Sequence, residues 1–198
     1  MKITTTLIII GLVVCYFLTA IYLNLQTERN DVSIYINDTD GKSVSLTIAV
    51  LGDVHLSEDP VSLAKFRDLV LEVKTAKPDL IVFVGDYTDN PIAIDNMSIH
   101  RDNIINAIKL VNLIPRAIVL GNYESWSDAD EWLDAFERLD VDVMENEIRI
   151  LETQKGPICI RGFGDDFTGR YRYVDYPQEC QGVPKLSITH DPSGAFYK

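Results

Sequence analysis

The sequence predicts an α/β sandwich behind an N-terminal membrane segment. Three observations carry that prediction. Apolar runs alternate with amphipathic stretches in the order strand–helix–strand–helix–strand–helix, before a more strand-rich C-terminal part. Four of the apolar runs end in clusters of Asp, Asn, Glu and His. Residues 7–25 contain no charged side chain and are rich in Ile, Leu and Val.

That first run comes earliest in the chain. At a rise of about 1.5 Å per residue it nearly spans a hydrocarbon core of about 30 Å. Residues 1–26 therefore read as a single-pass anchor, with a cleaved signal segment as the rival. Lys2 and the free amine precede the run, while Glu28 and Arg29 follow it. This asymmetry places the amine inside and the domain on the extracytoplasmic side. Residues 27–45 form a linker and first strand. Val32, Ile34 and Ile36 alternate with Ser33 and Tyr35, Asp40–Gly41 is a turn signal, and a second run starts at Ser43.

The domain proper is expected over 46–198. Its first strand covers Leu46–Leu51. A helix over Ala64–Thr75 places Phe66, Leu69, Val70 and Val73 on one side, and Lys77-Pro78 stops it. Leu80–Val84 is continuously apolar, as in a strand covered on both faces. A second helix is read at Asn103–Asn112, ended before Pro115, and a third strand at Ala117–Leu120. Ser127–Leu139 reads as a helix capped by Ser127, with Asp128, Asp130 and Glu131 near its positive end. Val141–Met144 is a further strand candidate. Glu147–Glu152 and Pro157–Gly162 suggest an antiparallel pair turning at Lys155-Gly156, and Leu186–Thr189 is a last strand.

Composition narrows the function classes. The net charge is −12. Such a surface repels phosphate backbones, which argues against general nucleic-acid binding. No C-x-x-C spacing exists among Cys15, Cys159 and Cys180, so a zinc–thiolate site is not expected. Cys15 lies in the apolar run, leaving Cys159 and Cys180 as the one pair available within the domain. Two unpaired thiols are the expected state, and a disulfide would suit an oxidising compartment.

The chemistry sits in the strand-end clusters: Asp53 and His55; Asp86 and Asp89; Asn122 and Glu124; His190 and Asp191. In α/β sheets, ligands bind beyond the carboxyl ends of the strands. Neighbouring strands would bring these loops to one rim. Carboxylate and amide oxygens with imidazole nitrogens suit borderline divalent ions such as Mn²⁺, Fe²⁺ and Zn²⁺. In Asp53-Val54-His55 an extended backbone would point both ligands to one side. Gly52, Gly85 and Gly121 each precede a ligand, allowing a sharp turn and close backbone approach. His100 stands in a polar stretch and reads as structural or exposed.

Gly52-Asp53-Val54-His55, Gly85-Asp86, Gly121-Asn122-x-Glu124 and His190 resemble the calcineurin-like metallophosphoesterase superfamily, in particular its bacterial membrane-associated branch. The resemblance implies a metallophosphoesterase-type αββα sandwich and a dinuclear centre hydrolysing phosphoesters. By position, Asp53 and His55 would ligate the first ion, Asp86 would bridge both, and Asn122 and His190 would ligate the second. Asn122 and Tyr123 would be the catalytic pair. Tyr123 replaces the family's usual histidine, and a phenol, with an ordinary pKa of about 10, is the poorer acid at neutral pH.

The sequence reaches Lys198 before any G-H-x-H motif, so the expectation is an αββα sandwich with its C-terminal part missing. The implied substrate is a phosphoester, such as a phospholipid or a nucleotide-linked lipid at a membrane surface. The alternative is a catalytically impaired binding or scaffold protein on the same fold.

Overall fold

The computed structural model describes residues 14–16, 36–37 and 43–193. The chain divides into two units, Met1–Ile34 and Tyr35–Lys198, and the second carries the fold. Apart from the short helical stretch at 14–16, the expected membrane segment lies outside the described residues. Among the described residues no helix is long and apolar enough to cross a membrane. Of the expected hairpin, β1 (Ile36–Asn37) pairs antiparallel with β2 (Ser43–Val44). Val32 and Ile34 lie outside the described residues.

A parallel sheet organises the rest. Strands β3 (Ile48–Leu51), β4 (Leu80–Phe83) and β5 (Arg116–Ile118) lie in that order, with Leu51 opposite Phe83 and Phe83 opposite Ile118. All four β4 residues are buried because each face of the strand meets a different apolar layer. Ile81 and Phe83 pack with Phe66, Val70, Ile104, Ile105, Trp132 and Phe136 from the helices. Leu80 and Val82 pack with Ile158, Ile160 and Ile188 from a second sheet. That sheet has the order β6 (Glu147–Thr153), β7 (Gly156–Gly162), β8 (Lys185–Ile188). β6 runs antiparallel and β8 parallel to β7. The layers among the described residues are thus helix, sheet and sheet.

The helices differ from the sequence pattern in instructive ways. Helix α1 covers Pro60–Ala76 and begins four residues before the apolar spacing becomes visible. Asp59 caps it, accepting from the Val61 amide, and Pro60 occupies the first turn, where its missing N–H costs nothing. Helix α2 covers Met97–Ile108, not Asn103–Asn112. Asn96 caps it through Ile99 N, and a 3₁₀ turn at Lys109–Val111 ends it. Its first turns look polar, yet His100 and Arg101 are buried. The His100 Nε2 lies 2.9 Å from the Leu56 carbonyl oxygen, so His100 is structural. Arg101 lies over the Trp132 ring and pairs with Glu131.

The predicted helix from Ser127 is two helices, α3 (Asn122–Trp126) and α4 (Ala129–Arg138). Asp128 separates them with a φ of 85° and caps α4 through Glu131 N; Ser127 instead accepts from Trp132 Nε1. Residues 141–144 form no strand. Val141 N donates to the Phe136 carbonyl and Met144 N to the Ile118 carbonyl, and both side chains are buried.

Cys159 and Cys180 are disulfide-bonded, correcting the expectation of free thiols. The connection from β7 to β8 folds back, and its 3₁₀ turn at Gln178–Cys180 lands Cys180 beside β7. Sequence spacing carries no trace of that return. The bond closes a loop of 21 residues. Replacing both cysteines by serine should therefore lower the unfolding free energy by roughly 2–4 kcal/mol. Urea unfolding with and without reductant checks this; coincident transitions would contradict it.

Candidate metal centre

The site is assembled where β3, β4 and β5 end. Past the strands, the loops remain zipped together. Asp53 N donates to the Gly85 carbonyl, His55 N to that of Asp86, and Leu56 N to that of Tyr87, at 3.0, 3.1 and 2.8 Å. Asp53, His55 and Asp86 take φ values of 51°, 41° and 53°, in the left-handed region. Side chains other than Gly pay for that conformation, and it persists where surrounding bonds enforce it. This corrects the extended reading of Asp53-Val54-His55. A tight turn, not the strand pleat, brings the two ligands to one side.

Glycine is required where the β4 and β5 loops meet. A Cβ on Gly121 would lie 2.2 Å from Asp86 Oδ1 and 2.6 Å from Asp86 N. A Cβ on Gly85 would lie 2.4 Å from Gly121 N, and φ there is +93°. The close approach is held by Glu124, which is fully buried. Its Oε1 accepts from Tyr87 N and Thr88 N, and its Oε2 from Asp86 N and Gly121 N, at 2.8 to 3.1 Å. Burial, with the Asp86 charge, holds this carboxyl above the usual carboxylate range against the downward pull of the N–H donors. With both oxygens facing donors, the geometry is that of a carboxylate. Tyr87 supports the same turn: its hydroxyl donates to the Val119 carbonyl at 2.6 Å and accepts from Gly85 N at 3.1 Å.

Around this frame the candidate ligands converge. One ligand atom each from Asp53, Asp86 and His190 lies within 4.8 Å of the others. Asp86 is the buried member, and its Oδ1 accepts from Tyr123 N at 3.0 Å. Its Oδ2 faces two imidazoles, His190 Nε2 at 3.4 Å and His55 Nε2 at 3.7 Å. Asn122 Oδ1 lies 3.0 Å from His190 Nε2. His190, delivered by the end of β8, also places Nδ1 2.9 Å from the Val84 carbonyl. That bond fixes the ring and leaves Nε2 turned toward Asp86, as a metal-binding imidazole requires. The Tyr123 ring meets the His55 ring edge-on at 4.6 Å. Asp53, His55, Asp86, Asn122 and His190 are thus gathered at one place. The Asp89 carboxylate accepts from Asn90 N. Asp191 binds Ser193 N.

Glu124 stands in one of the expected strand-end clusters but without an assigned role, and Tyr87 was not among the expected site residues. The signal for Glu124 was present: a carboxylate three residues after Gly121 at the start of a helix can reach back to that amide. Nothing in the pattern marks Tyr87 or the Val84 carbonyl.

A buried carboxylate, an exposed carboxylate and imidazoles, converging at the carboxyl ends of parallel strands, define a metal-binding α/β domain. The chain belongs to the calcineurin-like phosphoesterase family, whose model matches residues 46–191. It is 28% identical over 166 residues to a bovine (Bos taurus) transmembrane protein with metallophosphoesterase domain, a match covering 76% of this chain and 36% of the relative. It is 27% identical over 194 residues to the uncharacterized metallophosphoesterase YkoQ of Bacillus subtilis, covering 94% of this chain and 69% of that protein. The chain therefore spans about a third of the bovine relative's length. Among solved structures, TT1561 of Thermus thermophilus superposes with a TM-score of 0.45 at 13% identity, over 72% of this chain and 57% of that one.

Two outcomes follow from the geometry. Gly121→Ala forces a methyl group into Asp86, so divalent-metal affinity should fall at least tenfold, as measured by calorimetry with Mn²⁺; unchanged affinity would show that the close approach is dispensable. The second concerns pH. Burial pulls the His190 imidazole down, but its bonds to the Asp86 carboxylate and the Val84 carbonyl raise it to about 9. An unfolded histidine titrates near 6.5. The metal-free protein thus holds this stabilisation in full below about pH 6.5 and loses it as pH rises through about 9. Unfolding in EDTA should show stability declining across that window, and His190→Asn should flatten the decline.

Proposed function

We propose that the chain is a metal-dependent phosphoester hydrolase with a dinuclear centre. Asp53 and His55 would hold the first ion, Asp86 would bridge, and Asn122 and His190 would hold the second. The observation that carries this reading is the placement of Asp86. One oxygen of a buried carboxylate is faced by imidazoles arriving from opposite ends of the domain, His55 and His190. The donor set fits Mn²⁺, Fe²⁺ or Zn²⁺, with carboxylate, amide and imidazole and no thiolate. Such ions, when bound, would lower the pKa of water and offset charge developing on the phosphoryl oxygens.

The chain's own residues supply the rest. Tyr123 is tied by its amide to Asp86 and braced by the His55 ring, so its phenol can donate a hydrogen bond to a substrate oxygen at this rim. Asn122 begins α3 and carries its amide oxygen to the His190 side of the site. Glu124 holds the loops without touching substrate. The substrate class is a phosphoester, and the acidity of the chain disfavours nucleic acid as the general partner.

An anchor in residues 7–25, with the domain on the extracytoplasmic side, accompanies this proposal. Two observations support it: the transmembrane description of the bovine relative, and a disulfide of the kind oxidising compartments favour. A phosphoester at a membrane surface, a phospholipid or a nucleotide-linked lipid, is the corresponding substrate. The rival reading, a binding or scaffold protein, is favoured by Tyr123 at the family's histidine position.

Hydrolysis of bis-p-nitrophenyl phosphate with added Mn²⁺ separates the two. The hydrolase reading expects turnover that EDTA abolishes. Asp86→Asn should reduce it at least 100-fold with circular dichroism unchanged, and Tyr123→Phe should reduce it about tenfold or more. Inertness with every divalent metal tried would favour the scaffold. Activity retained in Asp86→Asn would reject the bridging assignment.

A further inference from the structure

A ladder of rings leads away from the metal centre. His55 meets Tyr123 at 4.6 Å, Tyr123 meets Trp126 at 4.9 Å, and Trp126 meets Phe167 at 6.0 Å. Exposure rises along it: Trp126 is 54% and Phe167 70% exposed. Trp126 also walls a groove of about 400 Å³, lined by Ser125, Asp128, Asp130, Thr168 and Arg170 among others. That volume falls at the lower end of small-molecule sites, about 300–1,000 Å³. The groove lies between the α3–α4 junction and the turn that follows β7, and that turn is pinned. Arg170 binds Glu145 through Nε and a terminal nitrogen at 2.5 and 2.9 Å, and binds Asp130 Oδ1 at 3.0 Å. Thr168 donates to Asp165 Oδ2 through both its amide and its hydroxyl.

The lining chemistry selects a ligand. An indole face offers a platform for a ring. Asp128 uses Oδ1 on the Glu131 amide and Asp130 uses Oδ1 on Arg170, so each has a second oxygen able to accept from a hydroxyl group. The one cation, Arg170, is already matched by Glu145 and Asp130. The groove is therefore net acidic and repels a second phosphate. The carboxylates also make it unsuitable for an alkyl chain, which would strip their water without replacing it.

Resting on the phosphohydrolase reading, we propose that this groove holds the alcohol portion of the substrate, and that this portion is an uncharged ring bearing several hydroxyl groups. A nucleoside and a hexose share that chemistry. The phosphoryl group would lie at the metal centre, with the ring carried outward past Tyr123 to Trp126.

The test compares, on the Mn²⁺-loaded full chain, calorimetric dissociation constants for methyl phosphate, uridine 5′-monophosphate, glucose 1-phosphate and octyl phosphate. The proposal expects at least one ring compound to bind tenfold or more tightly than methyl phosphate. The tighter of the two separates a nucleoside from a hexose. In Trp126→Ala that ratio should collapse to within about twofold, and Asp130→Asn should reduce it several-fold. A second readout exploits the tryptophans. Trp132 is fully buried and Trp126 half-exposed, so acrylamide quenching reports mainly Trp126, and ring ligands should protect it where methyl phosphate does not. Metal-dependent binding of methyl phosphate with no ring advantage overturns the groove and leaves the hydrolase reading standing. A preference for octyl phosphate overturns it in favour of an alkyl chain. Failure of methyl phosphate to bind in a metal-dependent way overturns the hydrolase reading and the groove with it.

Discussion

The Glu124 carboxylate is the interaction on which the rest of the site depends. Burying a carboxylate is expensive unless its charge is met by donors. Here backbone N–H groups from two separate strand-end loops meet it, those of Asp86, Tyr87 and Thr88 after β4 and that of Gly121 after β5. Hydrogen bonds to an ionised acceptor are about twice as strong as neutral ones. The arrangement does two things together. It satisfies amides that the ended strands would leave orphaned in a dry interior, and it draws the loops so close that only glycine fits at 85 and 121. The Asp86 backbone is then fixed in a left-handed turn, and its side chain has one direction left, outward into the site.

The second requirement is that two sheets meet. Asp53, His55, Asp86 and Asn122 follow the parallel sheet, whereas His190 follows β8 in the other. Their meeting depends on the apolar layer between the sheets, where Leu80, Val82, Ala117 and Val119 oppose Ile158, Ile160 and Ile188. Strand side chains alternate, so the residues of β4 that hold this layer leave Ile81 and Phe83 for the helices. One strand thereby sets the position of both neighbours. The bond from His190 Nδ1 to the Val84 carbonyl, at the end of β4, is the local consequence. Packing at the middle of the domain thus fixes geometry at its rim.

Much of this was legible because it rests on patterns of composition. Continuous apolar runs marked β4 and β5, and glycine followed by a ligand residue marked where the strands end. What escaped reading depends on tertiary contact. His100 and Arg101 look polar and were placed outside a helix, but a carbonyl and an indole ring accommodate them in the core. Asp128 breaks one apparent helix into two through a backbone angle that residue type barely signals. Asp53 and His55 share a side through a turn that only the bonds to the next loop impose. The disulfide depends on a returning connection with no sequence period. Except at Asp128, the deciding group lies far away in the chain, where local propensity has no access.

The charge of the molecule adds a last constraint. At −12 the chain repels the very anions its family hydrolyses, and Asp53 and Asp86 make the site locally negative. A phosphoester gains nothing by approaching these carboxylates alone. Divalent cations reverse the sign at that one point, because a bound ion is the largest local charge in such a site. Metal would then govern recognition as well as reaction, and it would do so selectively. A single phosphoryl group meets cations at the centre, while a polyanion extending beyond it meets the acidic surface. Under the proposed function, the same acidity that would make the ions necessary would also favour a substrate of compact charge, with the remainder of the molecule neutral.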